Sequence, residues 1–142
     1  MDKVLIVGFG DVGHRLAALY RKRGVAVSAL SRRGGPPEAG VTLIPGDLDR
    51  PESLAGLPSK GATLFYLAPP PGEGDKDPRM ANLLGAVAHA LPARIVYVST
   101  SGVYGDRGGD WVDEDSAPRP ETARARRRLA AEEALFAFGQ TH

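Results

Sequence analysis

The residues best suited to chemistry come first in the chain, in Gly8-Phe9-Gly10-Asp11-Val12-Gly13. Three glycines at this spacing let a chain turn sharply, bring a ligand against bare backbone, and pack a following helix tightly. If a helix opens here, its free N–H groups and partial positive charge suit an anion such as a diphosphate. A second group, Ser31-Arg32-Arg33, offers a hydroxyl and two guanidinium groups. Guanidinium binds phosphate through paired hydrogen bonds, whereas an acid at the same place would repel it. Further along stand Asp47-Leu48, the hydroxyl run Ser99-Thr100-Ser101, and four arginines at Arg124, Arg126, Arg127 and Arg128.

The surrounding pattern supplies elements to position these groups. Val4-Leu5-Ile6-Val7 is a continuous apolar run, as in a parallel strand buried on both faces. Val12, Leu16 and Leu19, with Ala17 and Tyr20, recur at helical spacing up to Gly24. Val25 to Leu30 is a second strand, so the glycine loop sits inside a βαβ unit, where its motif gains specificity for a dinucleotide. Strands are expected at Val41–Ile44, Ala62–Leu67 and Arg94–Val98. A short helix opens at Pro51, with Asp49 as a cap. Another carries Leu83, Leu84, Val87 and Leu91 inward. The last runs from Pro120 or Glu121 to Phe138, with Leu129 and Phe136 on its buried side. Alternating strands and helices predict an α/β fold, a Rossmann-like doubly wound parallel sheet of about five strands, in one domain over residues 1–142.

Composition narrows the classes. The chain has 142 residues, a net charge of +1 and no cysteine, so disulfides and thiolate chemistry are excluded, and no global field favours nucleic acid. No apolar run is long enough to span a bilayer, and the N-terminus shows no leader pattern, which points to the cytoplasm. The two arginines after the second strand favour NADP, with NAD as the alternative. Asp47 suits either an adenine contact or a turn. His14 reads as a helix surface or packed residue, although it lies close enough to the loop to touch a phosphate. His89 lacks a partner for a metal site. The acids from Asp106 to Asp115 read as a solvated loop, and Glu132 and Glu133 as pairing along their helix.

Taken together, the glycine loop, Gly46-Asp47-Leu48, Tyr66-Leu67-Ala68 and Ser99-Thr100-Ser101-Gly102-Val103-Tyr104-Gly105-Asp106 resemble the extended short-chain dehydrogenases/reductases, the NAD(P)-dependent epimerase/dehydratase family. The resemblance implies cofactor contacts from Gly8, Phe9, Gly10, Asp11, Val12, Gly13, Ser31, Arg32, Arg33, Asp47, Leu48, Leu67 and Ala68. It implies a substrate hydroxyl or carbonyl held by Thr100, and a substrate that is a nucleotide-sugar or another small carbonyl or hydroxyl compound. The family's catalytic Tyr and Lys fall on Arg124 and Arg128. Arginine stays protonated far above neutral pH and cannot serve as the base. Arg128 retains the capacity to bond a ribose, while Arg126 and Arg127 read as the solvated face of their helix. This divergence resembles atypical members of the family, and leaves an inactive NADP-binding sensor or docking module as the alternative. In the family the chain continues into a C-terminal substrate lobe, for which this sequence has no residues. An uncovered sheet edge would then favour self-association, and a homo-oligomer is expected.

Overall fold

The computed structural model describes residues 3–142. Five strands form one parallel sheet: β1 (Lys3–Val7), β2 (Ala26–Ser31), β3 (Thr42–Pro45), β4 (Thr63–Tyr66) and β5 (Arg94–Tyr97), in the spatial order β3-β2-β1-β4-β5. The order reverses beside β1, so β1 and β4 diverge into connections on opposite faces. In open α/β sheets this crevice at the strands' carboxyl ends takes the ligand. The helices are α1 (Asp11–Lys22), α2 (Pro78–Val87) and α3 (Ala123–Thr141), with 3₁₀ turns at Pro51–Leu54 and Ser101–Tyr104.

The continuous apolar run of β1 reflects two cores. Val4 and Ile6 point toward α1 and pack with Ala17, Val27, Ala29 and Val41. Leu5 and Val7 point the other way, to Leu64, Tyr66, Met80, Leu83 and Val87. Side chains alternate across a strand, so a central strand covered on both faces must be apolar at every position. Burying one such Leu contributes about 1.5–3 kcal/mol. The β1–β4 register, with Val7 opposite Tyr66, brings Gly8 beside the end of β4.

Several local expectations need correction. On α1 the buried residues are Gly13 and Ala17, whereas Val12 and Leu19 are 61% and 59% exposed. Small residues face the sheet because the helix sits close to it. α2 ends at Val87, so Leu91 falls outside the buried stripe and is 39% exposed. Arg50, not Asp49, is the residue before the 3₁₀ turn, which has no side-chain cap, and the Asp49 carboxylate is held by Arg79 instead. α3 starts two residues later than Glu121: the Thr122 side chain caps it by accepting from the Ala125 N–H at 3.0 Å. It then continues past Phe138 to Thr141. Its buried residues are Ala125, Arg127 and Ala131, Leu129 is half-buried and Phe136 is 70% exposed. Arg127 is therefore not on a solvated face. One of its N–H groups donates to the Gly74 carbonyl at 2.8 Å, and its Nε is buried without a partner. Among the described residues, Glu132 and Glu133 form no ion pair.

Candidate functional site at the carboxyl ends of the strands

The turn from β1 into α1 is shaped by its three glycines in three different ways. Gly8 has φ +105°, and a Cβ there would lie 2.5 Å from the Ala68 backbone nitrogen. The turn is pressed against the β4 end, where Leu67 and Ala68 both donate N–H bonds to the Val7 carbonyl. Gly13 sits where a Cβ would meet the Gly8 carbonyl at 2.8 Å and the Ile6 side chain at 3.3 Å. Gly10 has nothing within 4 Å of its Cβ position, so the space above it is open. It also precedes α1 without any side-chain cap. The first N–H groups of α1 are thus left for a ligand, as a diphosphate requires. These features fit a dinucleotide. Asp11, in the first turn, is exposed and bonded to Arg15 at 3.2 Å, which offsets its charge beside that opening.

A cavity of about 270 Å³ lies between the ends of β1, β2 and β3 and includes Gly8, Arg32, Asp47, Leu48, Ala68 and Arg79. Arg32 is exposed at its wall, half-buried Ser31 stands next to it, and Arg33 does not line it. Asp47 makes a turn, its Oδ1 accepting from the Asp49 N–H at 2.9 Å, and lines the cavity as well. The expected alternatives for this residue, turn or ligand contact, are therefore compatible.

Arg79 was not among the expected site residues. It stands in the first turn of α2, donates to both Asp49 oxygens at 2.7 and 3.0 Å, and reaches the Pro69 carbonyl at 3.1 Å. The Arg79 bond holds the Asp49 carboxyl below its ordinary value. The Asp77-Pro78 pair signals a helix start just before Arg79, but its partner is 30 residues away in sequence.

On the other side of the crevice Thr100, Arg127 and Arg128 are engaged within the protein. Thr100 accepts a bond from the Gly102 N–H at 3.2 Å and caps the Ser101–Tyr104 turn. The Ser99 hydroxyl is buried without a partner, and Ser101 is exposed. Arg128 is half-buried and donates to the Val98 carbonyl at 3.2 Å and, more weakly, to the Tyr97 hydroxyl at 3.4 Å. Arg124 is exposed and makes no side-chain bond to another described residue. The structure does not bring Arg124 and Arg128 together with Thr100 as a bonded constellation. Arg126, on the exposed face, pairs with Asp75 at 3.3 Å.

Beneath this side lies a buried polar layer. Asp77 caps α2 by accepting from the Met80 N–H at 3.1 Å, and its second oxygen is buried without a partner. Burial holds its carboxyl above the ordinary range. Burial also pushes up the Tyr66 phenol, whose hydroxyl is likewise unpartnered. The Tyr97 phenol is raised by burial, against the opposing effect of Arg128. No group of three metal-ligating side chains occurs among the described residues, and no helix there is long and apolar enough to cross a membrane.

The comparisons with known proteins agree with this geometry. A search of curated proteins finds no match. Among solved structures, a candidate epimerase from Burkholderia cenocepacia J2315 is 24% identical, with a TM-score of 0.83 over 98% of this chain and 50% of that one. A candidate NAD-dependent epimerase/dehydratase from Methylobacillus flagellatus is 32% identical, with a TM-score of 0.77 over 96% of this chain and 50% of that one. MoeE5, in complex with UDP-glucose and NAD, is 30% identical, with a TM-score of 0.74 over 96% of this chain and 48% of that one. The chain thus spans about half the length of the solved structures it matches. Its sequence matches the NAD dependent epimerase/dehydratase family over residues 4–142, and the chain belongs to that family.

Proposed function

We propose that residues 1–142 form the cofactor-binding domain of an NAD(P)-dependent epimerase/dehydratase-like oxidoreductase, and that the cofactor is NADP. The observation that carries this is the open, uncapped start of α1 above Gly10, beside a cavity walled by Arg32. The diphosphate would lie on the N–H groups of Asp11, Val12 and Gly13, with Phe9 flanking it. Asp47, Leu48, Leu67 and Ala68 would line the nucleoside side. Arg32, with Ser31, would meet the 2′-phosphate; Arg33 is a neighbouring cation that does not line the cavity. Bound there, the nicotinamide would supply hydride chemistry. The substrate class is a nucleotide-sugar or another small carbonyl or hydroxyl compound, a reading supported by the family and by the UDP-glucose held in MoeE5. Thr100 would orient the substrate through its remaining hydroxyl hydrogen, and Arg128 would face the nicotinamide ribose.

A second reading has its own observation. Arg124, in the place of the family's tyrosine, is an exposed cation with no acid–base capacity near neutral pH. A domain that binds dinucleotide without turnover, as a sensor or docking module, follows from that residue. Self-association is the further expectation. β5 ends the sheet, and a cavity of about 500 Å³ opens along it between Arg94, Ile95, Leu135 and Phe138.

Fluorescence titration with NADPH and NADH tests the cofactor, and a panel of carbonyl substrates tests turnover. Tighter NADPH binding with turnover supports the oxidoreductase. Binding without turnover supports the module. Tighter NADH binding overturns the assignment of NADP, and the absence of any binding overturns both readings.

A further inference from the structure

His14 and Glu38 meet at one end of the proposed cofactor cleft. The chain after β2 brings Glu38 back over the start of α1, and two backbone bonds with Val41, at 3.0 and 2.8 Å, hold it there. Glu38 Oε1 lies 2.8 Å from His14 Nε2. The imidazole is itself fixed: it stacks on Phe9 with ring centres 3.8 Å apart, and its Nδ1 lies 2.7 Å from the Gly10 carbonyl oxygen. With both nitrogens protonated the ring donates to both acceptors, and the Glu38 bond, followed by the Gly10 bond, raises its affinity for that proton. A cavity of about 240 Å³ is lined by both side chains together with Phe9, Ser31 and Arg32. His14, Arg32 and the Glu38 carboxyl therefore share a space at the carboxyl end of β2, where dinucleotide folds hold the adenosine ribose.

We propose that Glu38 is an internal stand-in for the cofactor's 2′-phosphate: it occupies His14 until NADP brings its own anion, which takes His14 and Arg32 and displaces Glu38. The inference rests on the dinucleotide reading above and adds to it the residues that discriminate at the 2′-position. The His14 and Glu38 side chains are 42% and 56% exposed, and a solvated pair of this kind is weak enough to exchange. A phosphate carries more charge and more acceptor oxygens than the carboxylate it replaces. Arg32 makes no ion pair among the described residues and is available to the incoming anion. NAD brings no such anion and leaves the pair closed. Asp11 is the other acid whose charge acts on His14, and it remains in place in both states.

The test is titration of the full chain with NADPH and NADH, for the wild type, Glu38→Gln, His14→Gln and the double variant. Removing the competing carboxylate is expected to tighten NADPH by about fivefold, with NADH changed less than about twofold. His14→Gln is expected to weaken NADPH by about fivefold, and to abolish the gain from Glu38→Gln in the double variant. The His14 ring protons, followed by NMR in the wild type, should shift with NADPH and not with NADH. Unchanged NADPH affinity in Glu38→Gln overturns the stand-in role and leaves the dinucleotide reading intact. Weaker NADH binding in that variant also overturns it, making Glu38 an acceptor for ribose hydroxyls. No binding of either dinucleotide to the wild type overturns both.

Discussion

The two sides of the crevice differ in how far the fold satisfies their most prominent polar groups. On the β1–α1 side, the Gly10 turn leaves the N–H groups at the start of α1 without a side-chain cap, and the Arg32 guanidinium has no ion-pair partner among the described residues. On the β5–α3 side, Thr100 caps its own turn, Arg127 reaches Gly74 and Arg128 reaches Val98. The first set stands open in the free protein, whereas the second is engaged by the fold, although Ser99, Asp77 and Arg127 each keep a buried polar atom without a partner. The contrast teaches that two clusters of polar residues at the same end of the sheet can differ in how much of their bonding the fold supplies.

The comparison can be broken by substitution. The largest effect is expected for Gly8→Ala. It combines a strained φ of +105° with a Cβ 2.5 Å from backbone, and should cost about 3 kcal/mol in urea unfolding. Next is Arg127→Ala, which removes a buried charged donor from the Gly74 carbonyl and should cost about 2 kcal/mol. Arg127→Met should recover part of that loss, because the unpartnered Nε is removed as well. If Arg127→Ala instead abolishes cofactor binding without changing stability, the division between the two sides fails. Gly10→Ala should behave in the reverse sense. Its Cβ meets no protein atom, so stability should change by less than about 1 kcal/mol. Dinucleotide affinity, measured by fluorescence titration, should fall about tenfold, because the added methyl occupies the phosphate approach.

Two acids extend the contrast to pH. Asp77→Ala removes a buried cap and should cost about 1 kcal/mol. Burial raises the folded-state value of Asp77 above 3.8. The folded chain therefore binds that proton more tightly than the unfolded chain. This contribution is full below 3.8 and is lost as pH rises through the folded value. Asp77→Asn, which keeps an acceptor for the cap, should remove that fall in unfolding titrations above pH 4. Asp49 runs the other way, because the Arg79 bond lowers its folded value. Its contribution is full above 3.8 and is lost as pH falls through the folded value. Arg79→Ala should flatten that acid limb and cost at most about 1 kcal/mol, since Asp49 is 54% exposed.

The sequence by itself determined the parallel βαβ order, the glycine turn and its likeness to the epimerase/dehydratase family. Those features are local: a continuous apolar strand, a helix period and three small residues at fixed spacing each carry their physics within a few positions. It also singled out Arg32 and Asp47, which line one cavity because both follow strand ends that converge at the crevice. Only the tertiary structure decided that Arg127 is buried, that Arg79 clasps Asp49, and that Glu38 lies on His14. These depend on chain segments distant in sequence being brought together. An arginine on a helix reads as solvated until the loop carrying Gly74 closes over it, and a loop acid reads as solvated until an imidazole fixed by stacking stands within reach of it.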